Sequence, residues 1–239
     1  CRQGGMNCHI AIRIVLVIIK TIPRPDPALV AALSRHGSAT VHEAMGRFGA
    51  MNRTIKPLSR GMKICGPAFT VRAQAGDNVM ILKAIHDAQP GDVIVVDSGR
   101  CPESGPYGEL TATECHTKGL AGFLTTGSVR DSAEIIAMGF PVFSCSISIV
   151  GTVKESIGLI NHTISACDVI VNPGDIILGD DDGVVVIPLE RGQEILEKSD
   201  ARVAKENETL EAIRAGGSIF DIYGYDAVLK RQGCVEEQV

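Results

Sequence analysis

Two short stretches carry the residue types that bind and polarise a small carboxylate. Tyr107-Gly108-Glu109-Leu110 and Gly127-Ser128-Val129-Arg130-Asp131-Ser132-Ala133-Glu134 each follow an expected strand and open an expected helix. In open α/β sheets, ligands bind beyond the carboxyl ends of the strands. A helix that begins there offers backbone N–H groups without acceptors and the positive end of its dipole, both suited to an anion. Gly108 lets such an anion come close to the main chain. Glu109, Arg130 and Asp131 then stand at one rim: an acid, a planar cation and a carboxylate. Taken alone, an Asp beside an Arg at a helix start reads first as a capping ion pair.

The elements that must hold these residues follow from periodicity. Ala28 to His36 has helical spacing, and Thr40-Val41-His42-Glu43-Ala44-Met45 begins a second helix with Thr40 as its N-cap. Gly61 to Ala73 reads as strands broken at Gly66-Pro67. Asn78 to Ala88 is helical and stops before Pro90-Gly91; Asp92 to Asp97 is a continuous apolar run, expected of a strand covered on both faces. Helix (Leu110 to Lys118), strand (Ala121 to Thr126), helix (Ser132 to Met138) and strand (Pro141 to Cys145) follow in turn. This alternation implies βαβ units around a largely parallel sheet, an α/β fold in one layered domain.

Val169 to Pro188 reads as a hairpin around Gly179-Asp180-Asp181-Asp182-Gly183, appended to that core. Leu189 to Ala215 is a long, charged helix of a kind that a core does not need for itself. We expect residues 1–25 to be an N-terminal arm and residues 26–239 the α/β domain with its helical tail. Met6 is the expected initiator, with Cys1 to Gly5 an addition before it. The apolar run Ile10 to Ile19 contains Arg13 and is too short to span a bilayer, so we expect a strand or an arm packed on a neighbour.

Composition narrows the function classes. The net charge of −5, with interspersed signs, argues against a nucleic-acid partner, and three Tyr, six Phe and no Trp leave little for base stacking. Eight cysteines without a Cys-x-x-Cys pair fit reduced thiols in a cytoplasmic protein better than a zinc ribbon or a disulfide framework. Asp180-Asp181-Asp182 reads as an Asp-Gly turn rather than a metal cluster. The neighbours Glu114-Cys115-His116 point different ways on a helix, and His42 and His86 read as ordinary helical histidines. Gly76-Asp77-Asn78 stands evenly between a pocket segment and a plain turn with a helix cap.

An ordered set of motifs then carries a resemblance. Thr40-Val41-His42-Glu43-Ala44-Met45-Gly46-Arg47, Gly76-Asp77-Asn78, Pro90-Gly91-Asp92, Gly108-Glu109-Leu110, Gly127-Ser128-Val129-Arg130-Asp131, Gly139-Phe140-Pro141-Val142 and Asp180-Asp181-Asp182-Gly183-Val184-Val185 occur in that order. From about Asp26 to Tyr225 the chain resembles the 4-hydroxy-4-methyl-2-oxoglutarate and 4-carboxy-4-hydroxy-2-oxoadipate aldolases and the ribonuclease E inhibitor protein A-like proteins related to them. The resemblance implies a swivelling-domain-like fold, assembled as a homotrimer or a hexamer of two trimers. It implies a class II pyruvate aldolase using Mg²⁺ or Mn²⁺, with oxaloacetate decarboxylation as a companion activity. Asp131 matches the metal carboxylate and Arg130 the substrate-binding arginine. Gly108, Glu109, Leu110 and Thr111 match the helix start whose amides bind the pyruvate carboxylate, and Glu109 also matches an acid that holds a metal-bound water. A further glutamate reaches in from a neighbouring subunit's C-terminal helix, matched by Glu206, with Glu208 the alternative. The rival implications are a plain oxaloacetate decarboxylase and a non-catalytic regulator of an RNA-degrading enzyme. The chain differs from the usual pattern at Tyr107, Thr111 and Thr126.

Overall fold

The computed structural model describes residues 18–99 and 101–235. Helices α1 (Pro27–Leu33) and α2 (Ser38–Ala44) come first, then strands β1 (Lys56–Pro57) and β2 (Ile64–Arg72). The βαβ run continues with α3 (Val79–Asp87), β3 (Val93–Asp97), α4 (Glu109–Thr117), β4 (Gly122–Val129), α5 (Ser132–Met138) and β5 (Val142–Ile147). Five short strands follow: β6 (Leu159–Ile160), β7 (Ile164–Ala166), β8 (Val169–Val171), β9 (Ile176–Gly179) and β10 (Val184–Ile187). Helices α6 (Gly192–Arg214), α7 (Ile219–Ile222) and α8 (Asp226–Arg231) end the described chain.

The main sheet runs β1-β5-β4-β3-β2-β9-β10, with β2 to β5 parallel, β6 beside β2, and β9 and β10 antiparallel. Its two ends nearly meet. Ala50 bridges Val185 of β10, and a few residues later Lys56–Pro57 pairs with β5, so the sheet curls into an almost closed barrel. Alternation sorts the side chains. Val93 and Val95 of β3 and Val184 and Val186 of β10 face the interior with Leu124 and Phe143. Ile94, Val96 and Phe123 face outward under α3, α4 and α5, while Val185 and Ile187 lie under α1, α2 and α6. Burial on both faces explains why these strands read as unbroken apolar runs.

The expected α/β fold is present, with four differences. Gly66-Pro67 does not break β2. Pro67 precedes the first residue paired with β3, where no ladder N–H is required of it, and a Cβ on Gly66 would lie 2.4 Å from the Gly91 carbonyl. The β9–β10 hairpin is not an appendage, because β9 extends the sheet along Ile64 to Pro67 of β2. Helix α2 begins at Ser38, not after Thr40. The Asp180 carboxylate takes the Ser38 N–H at 2.8 Å and its hydroxyl at 2.6 Å, an anchor from 142 positions away that local reading does not reveal. Finally, the start of α6 belongs to the core: Gly192, Ile195 and Ser199 are buried against α1 and α2. The expectation for Ile10 to Ile19 falls largely outside the described residues; of that run, Ile18 bridges Ile160 and the Ile19 N–H donates to Ile160 O, and after it Arg24 pairs with buried Asp92.

Asp77 ties two rim loops together. Its buried carboxylate accepts N–H groups from Val79 at 2.8 Å and from Glu155 and Ser156 at 2.7 Å, so this segment is the turn and cap, with loop 153–156 pinned to it. Burial works against the charge, but the donations from Glu155, Val79 and Ser156 outweigh it and hold the carboxyl below the usual carboxylate range. A depressed pKa contributes stability above the unfolded value of about 3.9, lost as pH falls through the folded value. Asp77→Asn should cost on the order of 2 kcal/mol at neutral pH. Urea unfolding should show the gap from wild type closing as pH falls below the unfolded value and through the folded one.

Candidate functional site

The site is assembled at the carboxyl ends of β4 and β5 by a strap from Cys101 to Tyr107. Strand β4 does not stop at Thr126. It carries one extra residue against β5 between Thr125 and Ser128, then pairs on to Val129. This bulge re-aims the strand end, a common device beside functional sites. Gly127 is required there, since a Cβ would meet Ser98 Oγ at 2.6 Å. Ser128 Oγ donates to the Pro102 carbonyl at 2.7 Å and Ser148 Oγ to that of Glu103 at 2.7 Å. The Gly105 N–H donates to Val150 O at 2.9 Å and the Arg130 N–H to Tyr107 O at 2.8 Å. Tyr107 is fully buried and stacks on Phe123 with ring centroids 3.6 Å apart. The strap therefore delivers Gly108 to a fixed place.

Helix α4 opens at that point. Gly108 is its N-cap, in extended conformation. The Gly108 N–H donates to Thr111 Oγ1 at 2.9 Å, and that hydroxyl donates back to Gly108 O at 2.7 Å. The side chain of Thr111 is thus engaged, and what it can offer a ligand is its amide. The Glu109 N–H donates to Asp131 Oδ2 at 3.0 Å. Asp131 is itself the N-cap of α5, held in the left-handed region at φ 53° and ψ 42°. Arg130 Nε lies 3.6 Å from the same Oδ2, with both side chains roughly two-fifths exposed. Asp131 Oδ1 has no hydrogen-bond partner among the described residues.

The structure thus brings Gly108, Glu109, Thr111, Arg130 and Asp131 together, with the exposed Leu110 beside them. Glu206 is elsewhere. It lies on α6, with its Oε1 2.8 Å from Arg202 Nε, and Arg202 also approaches Glu43 of α2 at 3.8 Å. Tyr107, Thr111 and Thr126 are tied into the scaffold: Thr126 is buried, and its Oγ1 accepts the Ser98 N–H at 3.0 Å. Reading the sequence missed the strap and its anchors Gly105, Ser128 and Ser148. Their only local signal is a concentration of small polar residues around the motif.

One carboxylate with an open oxygen suits a hard cation that keeps most of its waters. Among the described residues no group of three or more His, Cys, Asp or Glu forms a closed cage. A helix start beside an Arg-Asp pair at strand ends has the chemistry to accept a small carboxylate.

The chain belongs to the RraA-like family (Aldolase/RraA), whose model matches residues 38–186. It is 38% identical over 174 residues to a protein of Halalkalibacterium halodurans named "Putative 4-hydroxy-4-methyl-2-oxoglutarate aldolase", covering 72% of this chain and 82% of that one. A Thermus thermophilus protein named 4-hydroxy-4-methyl-2-oxoglutarate aldolase is 28% identical over 139 residues, covering 58% of this chain and 84% of its own. Such aldolases are lyases. Among solved structures, Streptomyces coelicolor RraAS2, described as an unusual member of the RNase ES inhibitor RraA protein family, superposes with a TM-score of 0.69. It is 28% identical, and the match covers 80% of this chain and all of that one.

Gly108 gives a direct test of the geometry. A Cβ there would sit 2.4 Å from Asp131 Oδ2 and 3.0 Å from Arg130 Cγ, although its backbone conformation is open to any residue. Gly108→Ala should therefore act by crowding alone. It should cost about 1–3 kcal/mol in urea unfolding. A crystal structure of the variant should show the Asp131 carboxylate displaced from Glu109.

Proposed function

We propose that this chain is an aldolase that cleaves 4-hydroxy-4-methyl-2-oxoglutarate, or a related 4-hydroxy-2-oxo acid, to pyruvate and a second oxo-acid. The observation that carries this reading is the Asp131 carboxylate, held at one oxygen by the Glu109 amide and left open at the other beside Arg130. Asp131 Oδ1, with Glu109 nearby, would hold a divalent cation, Mg²⁺ or Mn²⁺. When bound, that cation supplies Lewis-acid polarisation of the 2-oxo group.

The chain's own groups do the rest. The amides of Leu110 and Thr111 at the start of α4, together with the Arg130 guanidinium, bind the substrate carboxylate. A carboxylate at the rim, Glu109 with Glu206 of a neighbouring subunit, takes the proton of the 4-hydroxyl. The C3–C4 bond then breaks and its electrons pass to the pyruvate enolate oxygen, whose charge Arg130 stabilises. Protonation at C3 completes pyruvate. Oxaloacetate decarboxylation reaches the same enolate by losing CO₂, without that base, and is expected as a side activity.

The family resemblance implies a homotrimer or a hexamer of two trimers, in which the site would be shared. A cytoplasmic location belongs to the same reading. No helix among the described residues is long and apolar enough to cross a membrane. The likeness to the RNase ES inhibitor family supports the rival, a regulator of an RNA-degrading enzyme, which asks nothing of Asp131.

A coupled pyruvate assay, with and without Mg²⁺, separates the two. Wild type should release pyruvate from the 4-hydroxy-2-oxo acid and from oxaloacetate. Asp131→Asn keeps an amide acceptor and tolerates the left-handed backbone, so it should fold normally yet lose turnover. Arg130→Lys loses the planar fork and should fall at least about tenfold in kcat/KM, roughly 1.4 kcal/mol of transition-state binding. Full activity in both variants would overturn the reading.

Mixing tests the shared site. Asp131→Asn and Glu206→Ala chains, each inactive alone, should regain activity when refolded together, because mixed interfaces can pair an intact Asp131 with an intact Glu206. Hetero-oligomers verified by native mass spectrometry that show no rescue would place Glu206 outside the chemistry.

A further inference from the structure

The segment that follows β5 crosses the site rim with its apolar side chains bare. The Ser148 N–H donates to Val129 O at 2.9 Å, so the chain leaves β5 alongside the strand end that carries Arg130. Gly105 locates it: a Cβ there would lie 2.4 Å from Ser148 O and 3.0 Å from Arg130 Cβ. Further on, the Val153 N–H donates to Gly76 O at 2.9 Å, in the turn after β2. The segment therefore spans the carboxyl ends of the sheet from β5 to β2. Along it Ile147, Ile149, Val150, Val153 and Ile157 are each more than half exposed, Ile149 at 90%. They cannot simply tuck away. The Ser148 hydroxyl on Glu103 O, the Gly105 amide on Val150 O and the Asp77 carboxylate on the Glu155 and Ser156 amides hold the segment in place. Bare aliphatic groups fixed beside a polar site mark a surface made for contact.

Resting on the aldolase reading above, we propose that Ile149 is a specificity-determining residue that selects a methyl branch at C4 of the substrate over a carboxymethyl branch. An acid held by its C1 carboxylate at α4 and Arg130 presents its C4 end to this rim. There a methyl group and Ile149 remove apolar surface from water on both sides. A carboxymethyl group instead loses hydration to a side chain that returns no hydrogen bond. Both candidate substrates carry a carboxylate directly on C4, so that group does not discriminate between them; the branch does. Selectivity of this kind comes from refusing the wrong group as much as from accepting the right one. Lys154 is the one cation between Ile147 and Ile157, and a lysine turned into the site would favour the opposite branch.

The test measures kcat/KM of the full chain with Mg²⁺ on 4-hydroxy-4-methyl-2-oxoglutarate, on 4-carboxy-4-hydroxy-2-oxoadipate and, alongside, on oxaloacetate, which has no branch. Cleavage events are counted, since the methyl acid yields two pyruvates and the carboxymethyl acid yields pyruvate and oxaloacetate. Wild type should favour the methyl acid at least about tenfold, as one group against an apolar wall discriminates. Ile149→Lys should lose most of that preference. Ile149→Ser, which removes apolar surface without adding a charge, should also narrow it and serves if the lysine variant does not assemble. No pyruvate from any of the three compounds would sink the aldolase reading itself. Turnover of oxaloacetate with an equal or reversed preference between the branched acids would overturn this proposal alone. So would an unchanged ratio in both variants, which, with an altered mass by native mass spectrometry, would make the rim a contact between copies.

Discussion

The hydrogen bond from the Glu109 amide to Asp131 Oδ2 joins the starts of two helices, and the site depends on it. A non-glycine residue in the left-handed region costs on the order of 1 kcal/mol. The partly exposed Arg130 contact at 3.6 Å offsets little of that, since such pairs contribute at most about 1 kcal/mol. A charged acceptor on a backbone amide contributes more, about 1.5–3 kcal/mol. The amide bond is therefore what holds the strained residue. Gly108 completes the constraint by keeping the space into which Oδ2 is placed.

That contact requires two segments to meet within tenths of an ångström, and the barrel supplies the rigidity. Strands buried on both faces leave β4 little freedom, and its bulge sets where Arg130 emerges. The strap is fastened from below by Ser128, from the side by Ser148 and Val150, and at its end by stacking of Tyr107 on Phe123. Asp77 pins loop 153–156, which continues the same rim. Polar anchors thus converge on a region where loops would otherwise be loose.

In the proposed reading, the single chain supplies the anion-binding and cation-holding half of the site. The acid expected from the C-terminal helix is paired with Arg202 on α6, which packs against α1 and α2. Beyond Asp200 the chain is largely exposed and carries Leu210, Ile219, Phe220, Ile222 and Tyr223 at the surface. The proposed shared site would need such an exposed apolar tail from each copy.

Local sequence determined much of this protein. The periodicities of Asn78 to Ala88 and Ser132 to Met138, and the apolar run after Pro90-Gly91, each respond to forces acting within a few residues. The Gly108-Glu109 and Arg130-Asp131 motifs were legible for the same reason, since a helix start exposes amides whatever surrounds it. Tertiary structure alone decided the rest. Whether Gly66-Pro67 breaks a strand depended on where β3 begins, and where α2 starts depended on Asp180, 142 positions away in sequence. Tyr107, Thr111 and Thr126 stood out only as departures from the usual pattern, and in the fold the Tyr107 ring and both threonine hydroxyls are engaged by neighbours within the scaffold. Closure of the sheet and the strap were likewise invisible, because each joins groups far apart in sequence. Hydrogen bonds and close packing act over a few ångströms of space, and only the folded chain brings those ångströms about.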